Sequence, residues 1–210
     1  MTRCGFNISN SSAACREAAL SIRRCARFLL ALTYVSALLY CDRAAAQGQE
    51  IVDPRKEYNV KAVTLYAFGR YVTWPASAFE RPNSPFVIGV LGRNPFGDAL
   101  DQIATKKTVT NRPIVVRQLT SPSESSKCHI LFVTAAVPPE TEAKLFQAVA
   151  GKPVLLVGES AGFAERGGIV NFYASGTNVR FELNSDKANE AQLSFDAKLL
   201  SLGTKVPSRK

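Results

Sequence analysis

Between Arg55 and Trp74, the residues Tyr58, Ala62, Leu65, Gly69 and Val72 recur at spacings of 4, 3, 4 and 3. That recurrence predicts an amphipathic helix with one apolar stripe. Pro75 closes it, because the residue before a proline resists helical geometry. Phe86 to Leu91 is then a continuous apolar run, FVIGVL, of the kind that forms a strand buried on both faces of a parallel sheet. Gly92-Arg93-Asn94-Pro95 turns the chain. A helix follows, with Pro95 near its first turn and Phe96, Leu100 and Ile103 on its buried side.

The same alternation continues. Ile114–Leu119, Cys128–Thr134 and Val154–Val157 read as strands, and Pro138-Pro139 opens a helix that runs to about Ala150. A Ser-rich stretch with Pro122, long enough for a short helix, separates the first two of these strands. Strand and helix in strict succession predict a mostly parallel sheet flanked by helices in a single α/β domain. The last third changes character. Gly168–Ala174 and Thr177–Leu183 are two strands joined at Ser175-Gly176, a C-terminal antiparallel hairpin. Val179, Phe181 and Leu183 alternate with Asn178, Arg180 and Glu182, so the second strand has one wet face. Asn184 or Ser185 caps a helix, and a final amphipathic segment sets Leu199, Leu200 and Leu202 against the core before Gly203 stops it.

The N-terminal stretch has a different pattern. Arg23, Arg24 and Arg27 precede an apolar run from Phe28 to Cys41, and Ala44-Ala45-Ala46 follows. A positive region, a short apolar region and a small-residue cleavage site are the three parts of an export signal. The run is shorter than the roughly 20 apolar residues of a membrane-spanning helix. The organisation expected is an export signal over 1–46, a flexible lead-in over 47–56, the folded domain over 57–204 and a basic tail over 205–210. The mature protein is expected in the periplasm.

Removing residues 1–46 changes the charge and the cysteine count. The whole chain carries +9, but 20 basic and 15 acidic side chains remain after residue 46, a net of +5. They are scattered, and no basic stripe of the kind that binds nucleic acid is present. Cys4, Cys15, Cys25 and Cys41 leave with the signal, so Cys128 has no partner for a bridge within its own chain. It is either buried and inert or paired between chains, and its place at the head of an apolar run favours burial.

Candidate chemistry is sparse. His129 is the one histidine in the chain, and although it follows Cys128, neighbours on a strand point to opposite faces. One His and one Cys fall short of the three or four ligands of a zinc site. Gly89-x-x-Gly92-x-x-x-x-Gly97-Asp98 lacks the Lys and Ser/Thr that a phosphate loop needs, although the helix it opens leaves anion binding at its N-terminus open. Carboxylates occur singly, at Glu159, Glu165, Glu182 and Asp186, and nothing fixes two of them opposite each other. No catalytic residues, metal or cofactor are expected, and the chain reads as a non-enzyme. The loop from Glu159 to Gly168 is more informative, because it follows a sheet strand, and ligands of open α/β sheets collect at the carboxyl ends of strands. It either exposes Phe163 among its glycines as a contact surface or lid, or packs down on Phe163.

Several of these segments together resemble the YfiR family. They are Tyr71-Val72-Thr73-Trp74-Pro75, Phe86 to Gly92 with Asn94-Pro95-Phe96-Gly97, Cys128 to Val133, Val154 to Gly158 with Gly162-Phe163, Gly167 to Phe172, and Arg180 to Asn184 with Leu199-Leu200. The resemblance spans roughly 57–204. It implies an exported repressor that binds the periplasmic sensor domain of an inner-membrane diguanylate cyclase and holds it inactive. Cyclic-di-GMP then falls and biofilm formation is restrained. It further implies that an outer-membrane lipoprotein can sequester the repressor. Some relatives carry paired cysteines; here Cys128 stands without its partner, so redox control through an internal disulfide is not implied. The contact residues expected are Trp74, Pro75, Gly162, Phe163, Glu165 and Arg166, with a homodimer compatible with the pattern. The alternative is a periplasmic small-molecule binding protein whose ligand sits at the strand ends.

Overall fold

The computed structural model describes residues 53–208. The expected export signal lies outside the described residues. Helix α1 spans Pro54–Tyr71, capped by Asp53, whose side chain accepts from the Arg55 amide at 3.0 Å. The last three residues of the expected lead-in are therefore helical. The helix stops at Tyr71, three residues before Trp74. Val72–Thr73 leave it to form strand β1, which pairs antiparallel with β9, Ser194–Phe195. Two β-branched or extended-favouring residues with a partner strand outweigh the helical periodicity there.

The remaining elements follow the predicted alternation. They are β2 (Phe86–Leu91), α2 (Ala99–Lys106), β3 (Thr108–Val109), β4 (Arg112–Leu119), β5 (Ile130–Val133), α3 (Pro139–Val149), β6 (Leu155–Gly158), α4 (Phe163–Arg166), β7 (Val170–Ser175), β8 (Asn178–Leu183), α5 (Ser185–Glu190), α6 (Ala197–Leu202) and β10 (Thr204–Lys205). The Ser-rich stretch forms a 3-10 turn over Pro122–Lys127. Eight strands make one sheet in the order β10-β8-β7-β6-β5-β2-β4-β3. β4, β2, β5, β6 and β7 run parallel, and β7 and β8 form the antiparallel hairpin. In chain order the parallel strands read 2-1-3-4-5, the doubly wound arrangement whose switch point falls between the first and third strands, here β2 and β5.

The core explains the sequence pattern. All six residues of β2 are buried, since it pairs with β4 on one side and β5 on the other. Helix α1 lays Ala62, Leu65 and Phe68 on the sheet, where the Phe68 ring stacks on Phe172 at 5.8 Å and meets Phe181 edge-on at 5.3 Å. Phe172 and Phe181 are opposite each other in the hairpin register. The hairpin loop is Gly176-Thr177 rather than Ser175-Gly176, because Ser175 pairs with Asn178 and Gly176 takes the positive φ. Asn184 is the cap of α5, accepting from the Lys187 amide at 3.0 Å. Leu199 is buried, but Leu202 is 60% exposed and does not join the core. Short β3 and β10 stand at the two sheet edges.

Candidate functional site

The carboxyl ends of the strands are filled by the protein's own side chains. Glu159, directly after β6, accepts from Lys61 Nζ at 2.7 Å, from the Tyr58 hydroxyl at 3.3 Å and from the Ala135 amide at 3.1 Å. Lys61 also pairs with Glu57 at 2.5 Å, one helical turn away. Lys61 and Glu159 are both about as buried as core residues, at 6% and 7% side-chain exposure. Burial alone pulls the Lys61 ammonium down, and its hydrogen bonds to Glu159 and Glu57 reverse that, so it titrates above the ordinary lysine value. Burial, with Glu159 beside it, pushes the Tyr58 phenol up. This cluster ties α1 to the turn after β5 and to the loop after β6. It stands where doubly wound folds open a ligand crevice.

A second ion pair holds the same loop to α3. Glu142 accepts from Arg166 Nη2 at 2.9 Å and Nε at 3.3 Å, and from Ser160 Oγ at 3.0 Å. Arg166 also donates to the Ala161 carbonyl. The loop's glycines have a packing reason. Phe163 is fully buried, and a side-chain carbon at Gly158 or Gly168 would overlap its ring. Gly162 caps the short helix α4 with a φ of 72°, a conformation that favours glycine. Of the two readings of this loop the packed one holds, and Phe163 is not itself a surface contact: the ring is the plug on which the loop packs, and Gly162, Glu165 and Arg166 form its surface.

The amino ends of the strands are built differently. His129 lies between two phenylalanine rings, Phe79 at 4.5 Å and Phe86 at 4.8 Å, all nearly parallel. The Arg112 guanidinium covers the far face of Phe79 at 3.8 Å, and Trp74 meets Phe86 edge-on at 5.1 Å. Arg112 also donates to the Ser84 carbonyl at 2.8 Å, fixing the turn that carries Phe79. His129 Nδ1 accepts from the Val87 amide at 3.0 Å, so the neutral ring carries its proton on Nε2. Burial, with Arg112 nearby, lowers its pKa to about 4 against the opposing pull of the Ala78 backbone. Cys128 is buried, with its Sγ only 2.6 Å from where a side-chain carbon at Gly89 would stand. Burial pushes the thiol up to about 11, so neither residue is an activated nucleophile or base near neutral pH.

Beside this stack is a cavity of about 350 Å³ whose walls include His129, Cys128, Val87, Arg117, Lys127 and Lys152. The expected contact residues do not come together. Trp74 and Pro75 belong to the amino-end stack, whereas Gly162, Phe163, Glu165 and Arg166 belong to the loop that leaves the carboxyl end of β6. Sequence reasoning also missed Lys61, read among the scattered solvated charges. The available signals were its place beside the stripe residue Ala62 and its spacing from Glu57.

Fold and site together define a small doubly wound α/β domain, closed by ion pairs at the usual ligand end and open at the other. A profile of the family described as YfiR/HmsC-like matches residues 58–204, and the chain belongs to that family. No curated protein matches it. At the level of the family, membership supports a periplasmic regulator of a diguanylate cyclase. Among the described residues no helix is long and apolar enough to cross a membrane.

Proposed function

We propose that this protein binds the periplasmic sensor domain of an inner-membrane diguanylate cyclase and holds the enzyme inactive, lowering cyclic-di-GMP. The family match over 58–204 carries this reading. The mechanism is conformational bias: the repressor binds the inactive sensor state better than the active one, and that difference in affinity is all it can contribute. An outer-membrane lipoprotein relieves repression by competing for the repressor. The contact residues are Trp74 and Pro75 at one end of the domain and Gly162, Glu165 and Arg166 at the other, with Phe163 supporting the second group from beneath. A six-residue strand separates the ends by about 20 Å, so a partner reaching both lies along the side of the domain.

Deleting the gene is expected to raise cellular cyclic-di-GMP, and the wild-type chain supplied in trans to restore it. Complementation with Trp74→Ala and with Arg166→Gln, each verified by its melting curve, tests the two ends of the contact separately, and each variant is expected to restore repression only in part. Unchanged cyclic-di-GMP in a deletion strain that carries a membrane-anchored cyclase with a periplasmic sensor would reject the proposal.

A further inference from the structure

We propose that the outer edge of β4 is a docking site for an extended, acidic segment of a partner protein, which adds to the sheet as one more strand. This surface is separate from the two strand ends and does not rest on the cyclase reading. On its inner side β4 pairs with β2 over Ile114–Leu119. On its outer side β3 reaches only Arg112 and Pro113. The direction in which each peptide group bonds follows from the neighbouring ladder. The Thr134 amide donates to the Leu91 carbonyl and the His129 amide to that of Val87, so the odd-numbered residues of β2 face β5. Phe86, Ile88 and Val90 therefore face β4. Ile88 is in register with Val116, and in a parallel ladder a residue bonds to the peptide groups on either side of its opposite number. Those groups belong to Val115 and Arg117. The N–H and C=O of Val116 and Gln118 point outward, and among the described residues they have no backbone partner.

A row of open backbone groups is a template for another strand, and a strand added in this way gains affinity from main-chain hydrogen bonds. The edge is reachable: Arg117 and Gln118 are exposed, and Val115 and Val116 are half-buried. Its charge selects the occupant. Arg117 on the strand, Lys106 and Lys107 at the end of α2, and Lys127 at the end of the 3-10 turn have no ion-pair partner among the described residues. The acids of these elements are Glu124, in the turn, and Asp98 and Asp101, at the start of α2 and away from Lys106. A second copy of this chain fits the edge poorly. Antiparallel pairing of two β4 edges about Val116 sets Val115 opposite Arg117 and leaves the two Arg117 side chains as diagonal neighbours on one face, roughly 7–8 Å apart. Like charge so placed on an edge is one way native sheets prevent self-pairing. A strand that carries carboxylates turns the same charges into attraction.

The test uses the purified protein, its backbone NMR signals and two short peptides that alternate valine with glutamate or valine with lysine. In the free protein the Val116 and Gln118 amides should exchange hydrogen with solvent fast, and those of Val115 and Arg117 slowly, because only the latter two donate into the ladder. The glutamate peptide is expected to shift the Val116 and Gln118 amide signals saturably and to slow their exchange, with the lysine peptide weaker by about tenfold or more. Val116→Pro removes an outward donor at a position where edge strands admit proline, and should abolish the shift at Gln118. Arg117→Glu, an exposed substitution that leaves the backbone groups in place, should weaken the glutamate peptide by about tenfold without moving the melting temperature. Slow exchange at Val116 and Gln118 in the free protein, no saturable shift up to about 5 mM peptide, or equal binding of the two peptides overturns the proposal. Broadening of the same two signals that grows with protein concentration alone, the signature of pairing with a second copy, overturns it as well.

Discussion

At the carboxyl end of the sheet Glu159 gathers Lys61, Tyr58 and the Ala135 amide, while at the amino end His129 sits between two phenylalanines with its Nδ1 accepting from the Val87 amide. Both ends bury ionisable groups, but they manage the cost in opposite ways. The first keeps its charges and pairs them. The second gives up its charge, since a buried imidazole with no acid beside it stays neutral. The consequence is functional. The end where doubly wound folds usually admit a ligand is held shut by contacts internal to the domain. The end opposite, where strands begin, keeps a cavity.

The largest expected effect comes from breaking the paired end. Glu159→Leu leaves the Lys61 ammonium buried with only Glu57, whose side chain is 30% exposed, for compensation. A loss of about 3 kcal/mol in urea unfolding is expected, the lower end of the cost of orphaning a buried charge. Adding Lys61→Met should recover most of it, because a buried pair replaced by apolar groups is often neutral in stability. If Glu159→Leu costs nothing, the carboxyl end is not held by this pair and the contrast between the two ends fails.

A comparable effect at the other end should appear only through pH. The His129 ring titrates at 6.5 in the ordinary state and at about 4 when folded. Between those values the unfolded chain binds a proton that the native chain refuses. Its contribution is therefore complete above pH 6.5 and is lost as pH falls toward 4, a span of roughly 3 kcal/mol. His129→Gln can still accept from the Val87 amide through its side-chain carbonyl, yet it does not titrate. The stability of the wild type should drop more steeply than that of the variant between pH 6.5 and 4.5. Parallel curves would show that this ring is not kept neutral by burial.

How far the sequence foretold these two ends follows from the kind of pattern each leaves. The strand FVIGVL and the stripe Tyr58, Ala62, Leu65, Gly69 are visible because burial against a whole sheet repeats at the period of the element. The amino-end stack has no period. It joins Trp74, Phe79, Phe86, Arg112 and His129 from four places in the chain, and two of its members, Phe79 and Arg112, lie in no motif that draws notice. The Glu159 cluster is equally non-local, with about a hundred residues between its partners. Phe163 shows a third limit. Glycines around an aromatic residue fit either a mobile exposed ring or a ring so tightly enclosed that no side chain fits beside it, and only the overlap at Gly158 and Gly168 distinguishes them. The two-residue strands β1, β3, β9 and β10 are too short for any alternation to register.

The smallest effect sharpens the account of the closed end. Arg166 holds Glu142 with two nitrogens, but its own side chain is 40% exposed whereas that of Glu142 is 6% exposed. Water therefore screens one partner of this pair and neither partner of Lys61–Glu159. Arg166→Gln should cost about 1 kcal/mol, at the upper limit for exposed pairs, because Glu142 retains the Ser160 hydroxyl at 3.0 Å. A double-mutant cycle with Glu142→Gln should return a coupling energy of about the same size. A coupling as large as that of Lys61 with Glu159 would mean that the loop, and not the helix α1, is what keeps the carboxyl end closed. A coupling near zero would leave the loop resting on Phe163 alone, and its polar surface would then be free to rearrange around a docking partner without cost to the fold.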